Sequence, residues 1–162
     1  MIAAVPKAEA PRASADVAEL IDLVHEVFQG SLRRLHPTLA KERITMGQFW
    51  AIHSVSSLEG ASLSSVARYL GVASPTVCAN IDQLEQAGLV KRQRSEKDRR
   101  NVEITLTPRG RKVEHRVWRA IAQVMSEAGR DVSESDLAAS IRVFREVAGQ
   151  LDLRPGAYRE GP

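Results

Sequence analysis

Ser62-Leu63-Ser64-Ser65-Val66-Ala67-Arg68-Tyr69-Leu70-Gly71-Val72-Ala73-Ser74-Pro75-Thr76-Val77-Cys78-Ala79-Asn80-Ile81-Asp82-Gln83-Leu84 reads as two short helices joined by a tight turn. Leu63, Val66, Ala67 and Leu70 stand at i, i+3, i+4 and i+7, the spacing of one apolar helix face. Ser62 is placed to cap that helix and Gly71 to end it. After Gly71-Val72-Ala73, the reading makes Ser74 the N-cap of the next helix and Pro75 its first residue, where a missing N–H costs nothing. Val77, Ile81 and Leu84 then form a narrow inward stripe, and Gly88 closes the helix. Pro75, Thr76, Ala79, Gln83 and Gln86 are left facing outward at about 3.6 residues per turn, with Cys78 and Asn80 at the margins.

Working outward, Leu89 to Arg94 and Asn101 to Leu106 read as two strands, the second alternating Val102, Ile104 and Leu106 with polar residues. The connector Ser95 to Arg100 makes them a hairpin with a basic tip. Upstream, Thr45-x-x-Gln48 has capping-box form ahead of Phe49, Trp50, Ile52 and Val55, and Gly60 marks the following turn. Before that, the apolar residues from Val17 to Leu35 fall at helical spacing, and Pro37 is expected to interrupt the helix. Downstream, Thr107-Pro108 opens a helix carried by Val113, Val117, Ile121, Val124 and Ala128 to about Arg130. Ser133-x-x-Asp136 opens a last one with Leu137, Ile141, Phe144, Val147 and Leu151 on its apolar face. The expected organisation is a tail over 1–14, a helix and connector over 15–44, a central unit over 45–110, two helices over 111–154 and a tail over 155–162.

The chain of 162 residues is 43% hydrophobic and 27% charged, a globular composition, and no apolar run approaches the roughly 20 residues that cross a bilayer. A soluble chain is expected. One cysteine, Cys78, excludes an internal disulfide and suits a reducing compartment, the cytoplasm. His25, His36, His53 and His115 show no metal-ligand pairing. No phosphate-binding glycine loop, His-Glu-x-x-His or nucleophile elbow occurs, so the reading is of a non-enzyme with no cofactor. The net charge of +3 is unevenly spread: Lys91 to Lys112 holds nine basic against three acidic side chains, a surplus of six, leaving −3 for the rest.

Two short helices followed by a basic hairpin form a winged helix-turn-helix, a mainly α fold with a small β-hairpin wing, in which the second helix enters the major groove of DNA. The stretch from Thr45 to Gly110 resembles the MarR family of transcriptional regulators. The resemblance is carried by Thr-x-x-Gln at 45–48, Leu63-x-x-Val-Ala-x-x-Leu, Gly-Val-Ala-Ser-Pro-Thr-Val at 71–77, Leu-Glu-x-x-Gly-Leu-Val-x-Arg at 84–92, Asp98-Arg99-Arg100 and Leu106-Thr107-x-x-Gly110. It implies that Pro75, Thr76, Cys78 and Ala79 lie nearest the bases, with Ser74 and Asn80 reaching phosphate or base edges and Gln83 on the same face. It also implies an arginine in the minor groove at the wing tip, here Arg100 with Arg99 beside it and Asp98 orienting it. Arg92 and Arg94 would contact phosphates or brace the wing. The flanking helices match the family's dimerisation region in order and length, and a two-fold dimer would read a pseudo-palindromic operator with half-sites about 10 base pairs apart.

The resemblance further implies repression by promoter occlusion, relieved by a small aromatic or phenolic effector. Phe49, Trp50 and His53, with His25 and His36, are candidates to line its pocket, and packing of the core by the aromatics is the competing reading. Oxidation of Cys78 against DNA offers a thiol-based alternative, and a winged-helix protein-interaction module offers another. The basic wing distinguishes DNA binding from the latter. Ala79 and Cys78 offer little hydrogen-bond readout, so shape and contact with thymine methyls would carry more of the sequence reading.

Overall fold

In the computed structural model, which describes residues 15–58, 60–94 and 102–151, six helices surround one two-stranded sheet. They are α1 (Ala15–Glu42), α2 (Met46–Ser57), α3 (Leu63–Leu70), α4 (Ser74–Gln86), β1 (Val90–Arg94), β2 (Val102–Leu106), α5 (Pro108–Ala128) and α6 (Glu134–Gln150). The starts follow local chemistry. Thr45 accepts from the Gln48 N–H at 3.1 Å while the Gln48 side chain accepts from the Thr45 N–H at 2.8 Å, both halves of the expected capping box. Ser62 and Ser65 cap α3 reciprocally in the same way, and Gly71 ends it at a left-handed φ of 64°. Thr107 caps α5 and Ser133 caps α6.

Two expectations need correction. Pro37 does not interrupt α1, which runs on to Glu42. Leu35 and Leu39, on either side of the proline, are 3% and 8% exposed within the core. Their burial, at about 1.5–3 kcal/mol each, offsets the roughly 3 kcal/mol that a proline costs a helix interior. At α4 the cap is Ala73, which makes no side-chain bond, and Ser74 and Pro75 lie inside the first turn. The N–H of a second helical residue has no i−4 carbonyl within the helix to bond, so the proline is tolerated there too.

The core is built where α2, buried on nearly all sides, passes between the helix-turn-helix and α5. Phe49, Ile52, Val66, Val77, Ile81, Leu84, Val113 and Val117 are buried in it, and the inward stripe of α4 falls as its spacing predicts. The strands pair antiparallel with Val90 opposite Leu106 and Arg94 opposite Val102. Ile104 and Leu106 seal the hairpin base against the core, and the Ile104 N–H also donates to the Ala61 carbonyl at 2.7 Å. This fastens the hairpin to the segment entering α3, so the hairpin is held beside α4 rather than hanging free. Among the described residues, no helix is long and apolar enough to cross a membrane.

Candidate nucleic-acid interface

With Val77, Ile81 and Leu84 fixed in the core, the opposite side of α4 is necessarily presented outward. Ser74, Pro75, Thr76 and Ala79 are exposed, and Cys78 and Asn80 are half-buried at its edges. The start of α2 lies against this face: a Cβ added at Gly47 would come within 3.8 Å of Asn80 Nδ2. Gln83 is exposed, yet its Oε1 accepts from Gln48 Nε2 at 2.6 Å, so the glutamine that caps α2 also ties that helix to α4.

Arg92 is held in place by α4. Its Nη2 donates to Asp82 Oδ1 and its Nη1 to Glu85 Oε2, both at 2.6 Å, while its backbone N–H donates to Glu85 Oε1 at 3.0 Å. The hydrogen bond from the Arg92 backbone, followed by that from its guanidinium, holds the Glu85 carboxyl below its usual range, and the two carboxylates raise the pKa of Arg92. The Cys78 thiol donates to Asp82 Oδ2 at 3.7 Å, joining the same row. Arg94 is exposed at the end of β1. Asp98, Arg99 and Arg100 lie outside the described residues. Asp82 and Glu85 were not singled out as site residues by the sequence reading, and Gln48 was read only as the cap of α2, not as a partner of Gln83. The signal for the first two was available in their i, i+3 spacing on a helix that carries no lysine or arginine.

The candidate effector residues are scattered. Phe49 is fully buried, and His25 and His36 are exposed on α1. His53 is buried, stacks on Trp118 with ring centroids 4.9 Å apart and planes within 2°, and meets Glu114 Oε1 through Nδ1 at 2.8 Å. Trp50 alone of the five lines the apolar cleft of about 510 Å³. That cleft is walled by Leu20, Val24 and Phe28 of α1, Ile121 and Met125 of α5, Phe144 of α6 and Met46 beside Trp50 on α2. Among the described residues, no group of three or more His, Cys, Asp or Glu could hold a metal ion.

Residues 44–102, spanning α2 through the hairpin, match the model of the MarR family. That segment belongs to the MarR family. The MarR-family assignment agrees with a putative transcriptional regulatory protein for the hcr operon of Thauera aromatica, 24% identical over 156 residues, which cover 88% of this chain and 94% of that protein. The fold is that of a MarR family protein from Bacillus stearothermophilus, with a TM-score of 0.75 at 21% identity, covering 88% of this chain and 99% of that one. It is also that of a Staphylococcus aureus MarR in complex with salicylate and kanamycin, with a TM-score of 0.74 at 19% identity over 83% and 91% of the two chains. The matches agree on a MarR-family transcriptional regulator, and α3, α4 and the β1–β2 hairpin form its winged helix-turn-helix.

Proposed function

We propose that this MarR-family chain binds double-stranded DNA as a homodimer, represses transcription by occluding a promoter, and is released by a small aromatic effector. The observation that carries DNA binding is the exposed row Ser74, Pro75, Thr76 and Ala79 on a helix whose other side is locked into the core, beside a basic hairpin. A helix so mounted presents its first two turns to a major groove without rearrangement. The hairpin would follow the backbone, with Arg99 and Arg100 of its connector reaching the minor groove.

The effector reading rests on the cleft. Its walls join α2 of the reading head to α1, α5 and α6, so an occupant that prefers one spacing of these elements would shift the population toward it. The Staphylococcus aureus MarR of the same fold is in complex with salicylate and kanamycin, and its salicylate supports a planar aromatic ligand here. Action in the cytoplasm belongs to the same reading, supported by the transcriptional regulators the chain resembles.

Electrophoretic mobility shift on the DNA upstream of its own gene, titrated with salt, tests the reading. A shift that weakens steeply with salt and is lost or reduced in Arg100→Ala is expected. Unchanged binding in the variant would remove the wing from the interface, and no binding at any salt would favour a protein-interaction module.

A further inference from the structure

Every charged side chain of α4 is acidic. Ser74–Gln86 contains Asp82 and Glu85 and no lysine or arginine. Both carboxylates lie in its C-terminal half, where the helix macrodipole is itself negative. Taking about 100° per residue, Asp82 sits about 60° and Glu85 about 120° around the helix from Ala79, the middle of the outward face. A helix about 10–12 Å across fills a major groove about 12 Å wide, so its flanks run alongside the phosphate walls. Two unneutralised carboxylates on one flank would be repelled from that wall.

Arg92 reaches α4 from β1 and bridges both carboxylates at 2.6 Å. The Arg92 side chain is 25% exposed, against 49% for Asp82 and 37% for Glu85, so the cation is set behind its partners rather than in front of them. Both described hydrogen bonds of this guanidinium run to α4.

We propose that Arg92 is a positioning residue that supplies the counter-charge of the reading helix: it halves the negative charge of the flank and pins both carboxylates against the hairpin base, and it does not itself grip phosphate. The inference rests on the DNA-binding reading above. It makes a cation on the wing a condition for an acidic helix to enter the groove. One hydrogen-bonded unit of Arg92, Asp82 and Glu85 then does what a basic side chain on α4 would otherwise do.

The test uses the full-length chain and a fluorescent duplex that the wild-type protein selects from a randomised pool. Folding of each variant is checked by thermal unfolding. Arg92→Ala is expected to bind on the order of tenfold or more weakly, the scale of an unrelieved like-charge contact. The triple variant Arg92→Ala, Asp82→Asn, Glu85→Gln, which carries no charge at any of the three positions, is expected to recover to within about threefold of wild type with its salt slope retained. Arg92→Lys keeps a cation behind the carboxylates and is expected to lose only a few-fold, which carries the test if the alanine variant unfolds. A folded triple variant as weak as Arg92→Ala, with a salt slope smaller by about one, would assign Arg92 to phosphate and overturn the proposal. Loss in the triple variant without a slope change would make Arg92 a brace only, overturning it as well. A wild-type chain that enriches no duplex refutes the DNA-binding reading instead.

Discussion

Gly110 has no freedom to be anything else. It lies in the first turn of α5, where its N–H donates to the capping Thr107 hydroxyl at 3.0 Å, and an added Cβ would overlap the Leu89 carbonyl oxygen. That carbonyl also accepts from the Thr107 N–H at 3.0 Å, so it cannot retreat without opening the joint between the hairpin and α5. Gly110→Ala is expected to cost about 3 kcal/mol in urea unfolding, the upper end of the usual overpacking range, because the clash is with backbone. A loss below about 0.5 kcal/mol would show that the joint yields. At this scale the sequence was most legible where one side chain bonds its own neighbourhood: Thr45, Ser62, Thr107 and Ser133 all cap as their spacing predicts. It was least legible for Arg92, whose partners sit seven and ten positions back and are chosen by the angle between hairpin and helix.

Among the elements, α1 departs furthest from its reading because burial of Leu35 and Leu39 decides whether Pro37 breaks it, and local pattern carries no account of tertiary burial. The extra turns after Pro37 carry Glu42 to α5, where its carboxylate accepts from Arg116 Nε at 2.6 Å and Nη2 at 2.7 Å. The hydrogen bond from Arg116 is the chief reason that Glu42 titrates below the ordinary 4.5. A carboxyl lowered in the folded state contributes stability above its unfolded value, and that contribution disappears as the pH falls through the folded one. Glu42→Gln is therefore expected to melt at a lower temperature than wild type near neutral pH, with the gap closing as the pH drops below 4.5. Parallel melting curves across that range would mean that the pair contributes nothing.

For the whole molecule, the apolar residues of α6 have no cover. Leu137, Ile141, Val143, Phe144 and Val147 are all exposed and α6 buries no residue, while Leu20, Ile21, Val24 and Phe28 lie open on the first half of α1. Patches of this extent mark an interface, and the proposed dimer would close over them. Light scattering after gel filtration is expected to give twice the monomer mass for wild type and a monomer for the Ile141→Asp, Phe144→Asp variant, with DNA affinity falling in step. A monomeric wild-type chain at micromolar concentration would refute the dimer. The surplus of apolar faces was readable from periodicity, but the cleft was not, because it forms where four helices from distant parts of the chain converge.

The two tryptophans of this chain, Trp50 and Trp118, stand on opposite sides of the joint between α2 and α5, each within about 6 Å of the His53 ring. Trp50 also forms part of the cleft wall. All indole emission therefore originates at the seam between α2 and α5, and its wavelength and intensity gauge that seam directly. The protein carries its own optical reporter of any movement between α2 and α5, one that needs neither a dye nor an added residue.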